Sequence, residues 1–134
     1  MALSPMTTTF TPQANGGMFG INAYGPGYIE VNGVRHETAI QLHPESGPSP
    51  RPGLTVSSIS AECIREIASL APELVLIGTG NRQIFLPPAV LAPLIQGRVG
   101  VECMALPAAC RTFNLLAAEG RQVVALLIID STTT

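Results

Sequence analysis

No lysine occurs among the 134 residues, and the seven basic side chains are all arginines, scattered from Arg35 to Arg121. A phosphate backbone is gripped by clustered positive charge, so scattered arginines in a chain of net charge −2 exclude a broad nucleic-acid surface. Charge of either sign is scarce: Asp, Glu, Lys and Arg make up 12% of the chain, about half the usual share. A compact, Ala- and Leu-rich core accounts for this in one way and apolar surface covered by a protein partner or a second copy in another, the second being favoured because so small a chain still displays much of its sequence. Cysteine is sparse too. Cys63, Cys103 and Cys110 contain no C-x-x-C pair, so neither a disulfide framework nor a zinc site is signalled, and a reducing compartment suits them. There is no G-x-S-x-G elbow and no H-E-x-x-H pair, which leaves an enzyme the less favoured reading, with no catalytic residues, metal or cofactor indicated. The stretch from Met1 to Val34 holds no basic residue, so no secretory or transit signal is visible and a cytoplasmic protein is expected. The apolar run Val123 to Ile129 is far too short for a membrane span.

That run is nevertheless the centre of the chain. Ala109, Phe113, Leu116 and Ala117 recur on one face of a helix beginning at Pro107, and Gly120 supplies the left-handed residue that stops it. The apolar run then reads as a strand covered on both faces. Earlier segments repeat the alternation. Ser60 caps a helix to about Leu70 with Cys63, Ile64, Ile67 and Ala68 inward; Leu74 to Ile77 is a strand; Pro87-Pro88 opens a helix ended by Gly97; Val99 to Met104 is another strand. Three such alternations imply a sheet with helices packed across it. One α/β domain over residues 19–134 is expected, preceded by a loose arm or edge segment over residues 1–18. Within its first part, Asn32-Gly33 predicts a two-residue hairpin between Tyr28 to Val31 and Val34 to Leu42. Four prolines between His43 and Gly53 predict an extended surface connector, and Thr55 to Ser57 a short strand.

Three places can carry chemistry. The turn Gly78-Thr79-Gly80-Asn81-Arg82 follows a buried strand, where backbone N–H groups and Arg82 could hold a small anion or nucleotide-like ligand; a tight turn needing small residues explains it as well. Cys110 lies near the start of the last helix beside Arg111, a setting that can lower a thiol pKa, so a thiol-dependent enzyme is one alternative and a buried apolar cysteine the other. Arg111 and Asn114 share a helical stripe and could face a cleft together with the glycine turn, or form an ordinary helical edge. His36 and His43, seven residues apart, do not suit a shared metal, and Glu119 and Arg121 flank the stop glycine with a structural salt bridge or helix-dipole role in view.

The segments Leu74 to Pro88, Gly97 to Met104 and Ala109 to Ile128 together resemble a small domain-of-unknown-function family shared with a mitochondrial complex I assembly factor and a mammalian adipogenesis-associated protein. The resemblance covers about Phe19 to Ile129. It implies three layers: a central mixed β-sheet, helices on one side, and a hairpin plus helix on the other. It also implies members without an established enzymatic activity, and hence a non-catalytic interaction or assembly module. Gly78, Gly80, Cys110, Arg111, Asn114, Glu119, Gly120 and Arg121 match its recurring positions. The loop Ala105-Leu106-Pro107 departs from the polar residues usual there, which removes an acid and a hydroxyl from the expected cleft mouth, and the missing transit segment points to a bacterial rather than a mitochondrial member.

Overall fold

The computed structural model describes residues 8–9 and 18–130. Apart from Thr8, Thr9 and Met18, the expected N-terminal arm therefore lies outside the described residues.

Two sheets organise the molecule. The smaller is a meander of β1 (Thr8–Thr9), β2 (Ile21–Gly25), β3 (Tyr28–Val31) and β4 (Val34–His36), each antiparallel to the next. The hairpin expected at Asn32-Gly33 is present, with φ of 48° and 83°, the positive values that a two-residue turn with the right twist demands. The larger sheet is mixed. β5 (Ile40–His43), β6 (Gly47–Pro50), β7 (Leu74–Thr79), β8 (Gly100–Met104) and β9 (Val123–Ile128) lie in the order β6-β5-β9-β7-β8. β7 runs parallel to both β8 and β9, while β5 is antiparallel to β9 and β6.

Burial explains why β7 and β9 read as unbroken apolar runs. In β9, Val123, Ala125 and Leu127 point to one face and Val124, Leu126 and Ile128 to the other, and all six are buried. The second face carries α1 (Ala61–Ala68) and α2 (Pro88–Gln96), whose Ile64, Ile67 and Leu94 pack on Val75, Ile77 and Leu126. The first face carries α3 (Leu106–Ala118), which packs between the two sheets: its Ala109, Cys110, Phe113 and Ala117 join Leu76 and Leu127 on one side and Ile21 and Ile29 on the other. Helices on one side and a hairpin sheet with a helix on the other make the three layers that the family resemblance implied.

The helix ends follow their local signals. The Cys63 N–H donates to Ser60 Oγ at 3.2 Å at the start of α1, proline stands in the first turn of α2 and of α3, and Gly120 takes φ 78° after α3.

Three local expectations are corrected. The proline-rich stretch is not a structureless connector, because Gly47–Pro50 pairs with β5 as an edge strand. Arg51 N–H donates to Ala39 O at 2.7 Å, which fixes alternate residues inward and turns the nitrogens of Pro48 and Pro50 toward the open edge, where no ladder bond is lost. Thr55 to Ser57 is not a strand: Val56–Ser58 forms a 3-10 turn, with the Ser58 hydroxyl accepting from Thr55 N–H at 2.9 Å. The β-prone stretch from Val34 to Leu42 is two strands in different sheets, broken at residues 37–39 where the chain crosses from β4 to β5.

Candidate functional site

Parallel pairing brings the carboxyl ends of β7 and β9 together, with Thr79 opposite Ile128, and an open groove of about 970 Å³ lies just beyond them. Ligands settle at this end of parallel sheets because the diverging loops leave space there. One wall is the Thr55 to Ile59 segment. The other is the loop from Asn81 to Pro87 running into Val90 of α2, and Asp130 closes the base. Val56, Ile59, Ile84, Phe85, Leu86, Pro87 and Val90 make the lining mostly apolar. Phe85 stands 77% exposed within it.

The turn expected to hold an anion is already filled by a carboxylate of the chain. Asp130 Oδ2 accepts from Asn81 N–H at 2.8 Å and sits directly against Gly80, where any Cβ would strike it. Gly80 also takes φ 80°, a second reason for glycine. Thr79, 2% exposed, ties the turn from inside: its hydroxyl lies 2.5 Å from Arg82 O and accepts from Ile84 N–H at 3.0 Å. Gly78 answers to packing instead. A Cβ there would press on Ala109 at 3.1 Å and Leu106 at 3.2 Å, so glycine lets α3 lie close on β7. Arg82 is exposed at the groove wall.

Cys110, Arg111 and Asn114 do not join this groove. Arg111 Nη1 donates to the Tyr24 hydroxyl at 2.9 Å, on β2 of the smaller sheet. Asn114 reads the same strand in both directions, accepting from Ile21 N–H at 2.9 Å and donating to Ile21 O at 2.8 Å. Its side-chain amide thus stands in for a neighbouring strand and fastens α3 to the meander. Cys110 is fully buried between the layers, and burial, opposed in part by Arg111, pushes its thiol up to about 12. A nucleophile needs the thiolate, so the thiol-enzyme alternative is not supported by this environment.

Other candidates have structural tasks. Arg121 pairs with Glu73 at 3.3 Å, and the Gln122 N–H donates to the same carboxylate at 3.0 Å. That backbone hydrogen bond, reinforced by Arg121, holds the Glu73 carboxyl below its usual range. His43 Nδ1 accepts from Glu45 N–H at 3.0 Å and closes the β5–β6 turn, whereas His36 lies on β4 in the other sheet.

The groove lining contains no histidine or cysteine, and its Thr55 hydroxyl lies 3.2 Å from Ser57 Oγ with no base beside it. What it offers is apolar surface, one exposed aromatic ring, and one charge of each sign. Sequence reasoning passed over Phe85 and Asp130. The signal for Phe85 was an aromatic residue set in a loop just ahead of two prolines; Asp130 could be placed only once β9 was known to neighbour β7.

A family model described as a protein of unknown function, DUF498/DUF598, matches residues 21–128. The NADH dehydrogenase [ubiquinone] 1 alpha subcomplex assembly factor 3 of Bos taurus is 36% identical over 110 residues, covering 81% of this chain and 59% of the bovine protein. A 13 kDa major membrane protein of Francisella tularensis is 34% identical over 73 residues, covering 54% of this chain and 59% of that protein. This chain therefore spans less than two thirds of either relative. A crystal structure of a Bordetella parapertussis protein matches with a TM-score of 0.79 at 46% identity, over 84% of this chain and 97% of that one. Among the described residues no helix is long and apolar enough to cross a membrane.

Proposed function

The chain belongs to the DUF498/DUF598 family of unknown function, and from that premise we propose that it is a non-catalytic interaction module of the assembly-factor kind, working in a bacterial cytoplasm. Residues 19–134 act as one α/β domain, and the groove beyond β7 and β9 receives an apolar segment of a protein partner. The observation that carries this reading is Phe85, a large aromatic side chain left 77% exposed on a mostly apolar wall. Exposed aromatics of this kind anchor protein interfaces, because burying one removes a large apolar area from water with few rotamers lost. The similarity to a named assembly factor supports the same class of work.

The small-anion alternative at Gly78 to Arg82 is weaker. The turn's N–H group at Asn81 is already engaged by Asp130, and a further anion would meet that carboxylate. Arg111 and Asn114, which would have completed the site, hold β2 instead.

Affinity capture with three versions of the full chain tests the proposal. Wild type and Leu115→Glu, altered at an exposed apolar residue of α3 away from the groove, are expected to retain the same specific protein, and Phe85→Glu to lose it. Equal retention by all three, or none by wild type, would refute the groove as the docking surface.

A further inference from the structure

Four strand edges terminate the two sheets: β1 and β4 in one, β6 and β8 in the other. Open edges invite pairing with another chain, and each of the four is protected in a different way and to a different degree. β6 presents Pro48 and Pro50. β8 has its outward Cys103 carbonyl taken by the Gln83 side chain at 2.8 Å. β1 is two residues long. β4, Val34–His36, is short and carries the charge of Arg35, but it has neither a proline nor, among the described residues, a side chain seated on its outward backbone groups.

The turn fixes which of its backbone groups are available. A two-residue loop makes Val31 and Val34 the hydrogen-bonded pair that closes the hairpin, so the next pair, Glu30 with Arg35, is the non-bonded one. The N–H and C=O of Arg35 therefore point away from β3. Val34, on the opposite face from Arg35, is 59% exposed.

We infer that β4 is a self-association edge, and that a second copy of this chain pairs with it antiparallel about a two-fold axis through His36. In that register Arg35 lies opposite Glu37 of the second copy, twice by symmetry, and each such pair can exchange two backbone hydrogen bonds once Glu37, the residue after β4, is drawn into the strand. Charge selects it. Centring on Arg35 would set arginine against arginine, and centring on Glu37 would set glutamate against glutamate; directly opposed like charges destabilise a strand pair. Arg35 and Glu37 now form an exposed ion pair within one chain at 2.8 Å, and the Arg35 guanidinium lies 4.0 Å over the Tyr28 ring. Trading the two solvent-screened pairs of the separate chains for two across the edge retains the charge match and adds the backbone bonds and the cover over Val34. This edge is separate from the Phe85 groove, so either surface can fail without the other.

Sedimentation equilibrium of the full chain, over a series reaching high micromolar concentration, reads the outcome. Wild type is expected to approach twice the chain mass, while Arg35→Glu and Glu37→Arg each remain monomeric. An equimolar mixture of the two variants is expected to recover the dimer, since acidic and basic edges then face each other. Arg35→Pro, which removes the outward N–H together with the guanidinium and leaves the bonds to β3 intact, is expected to stay folded by circular dichroism and monomeric. A wild type that is monomeric throughout, or a dimer that persists in Arg35→Pro or in both charge variants alone, would overturn the assignment.

Discussion

Asp130 and Asn81, 49 residues apart in the chain, meet at 2.8 Å, where the carboxylate accepts the backbone N–H of the turn that ends β7. The contact joins the ends of two neighbouring parallel strands and sets the base of the groove. It also gives the glycine turn an internal anion.

Inorganic phosphate is accordingly expected to leave the melting temperature of the wild-type chain unchanged, and to raise that of Asp130→Ala, in which the turn is vacated. A ligand at 100 times its Kd stabilises by about 2.7 kcal/mol, well within reach of a thermal-shift measurement. A phosphate-dependent rise in wild type would restore the anion-site reading.

Gly80→Ala forces a side chain into a left-handed residue and against Asp130. A loss of about 1–3 kcal/mol in denaturant unfolding is expected. Gly120→Ala shares the positive φ but has open space around it, so it is expected to cost less; equal losses would show that the Asp130 contact is not the source of the difference.

Asn114→Leu removes both hydrogen bonds to Ile21 and leaves that strand's N–H and C=O without their partner. A loss on the order of 1–3 kcal/mol is expected. Hydrogen exchange is expected to quicken chiefly at Ile21 to Val31, because the meander loses its fastening to α3. A uniform change across the chain would contradict that role for the side chain.

Cys110 predicts a specific alkaline response. Its thiol pKa is raised from the ordinary 9.0 to about 12 in the folded chain. The folded state thus favours the protonated form: the contribution is complete below pH 9 and is lost as pH rises from about 9 toward 12. Cys110→Ala is expected to show a shallower fall of stability over that window. At neutral pH alkylation of native Cys110 is expected to be far slower than in the unfolded chain, and rapid native labelling would revive a reactive-thiol role.

Much of the architecture was legible because local chemistry and tertiary context agree. Asn32-Gly33 has one cheap way to turn between two strands, Ser60 and Gly120 mark helix ends, and Val123 to Ile128 is apolar throughout because both faces are covered. The strand at Gly47–Pro50 was hidden because its prolines are tolerable only on an edge, and edges are defined by strand order. The break after His36 was hidden for a related reason, since no glycine or proline marks the residues where the chain changes sheets. At the candidate site, the glycines were visible but their causes were not: Gly78 answers to Ala109 and Leu106, and Gly80 to Asp130. Arg111 and Asn114 were correctly grouped on one stripe of α3, yet the sequence could not show that the stripe faces β2.

The most direct test of the docking account is a photoreactive benzoylphenylalanine placed at Phe85 in living cells, with the same residue at Leu115 as reference. A discrete covalent adduct of higher mass is expected from position 85 and none of that mass from position 115. No adduct at 85, or the same adduct from both positions, would contradict it.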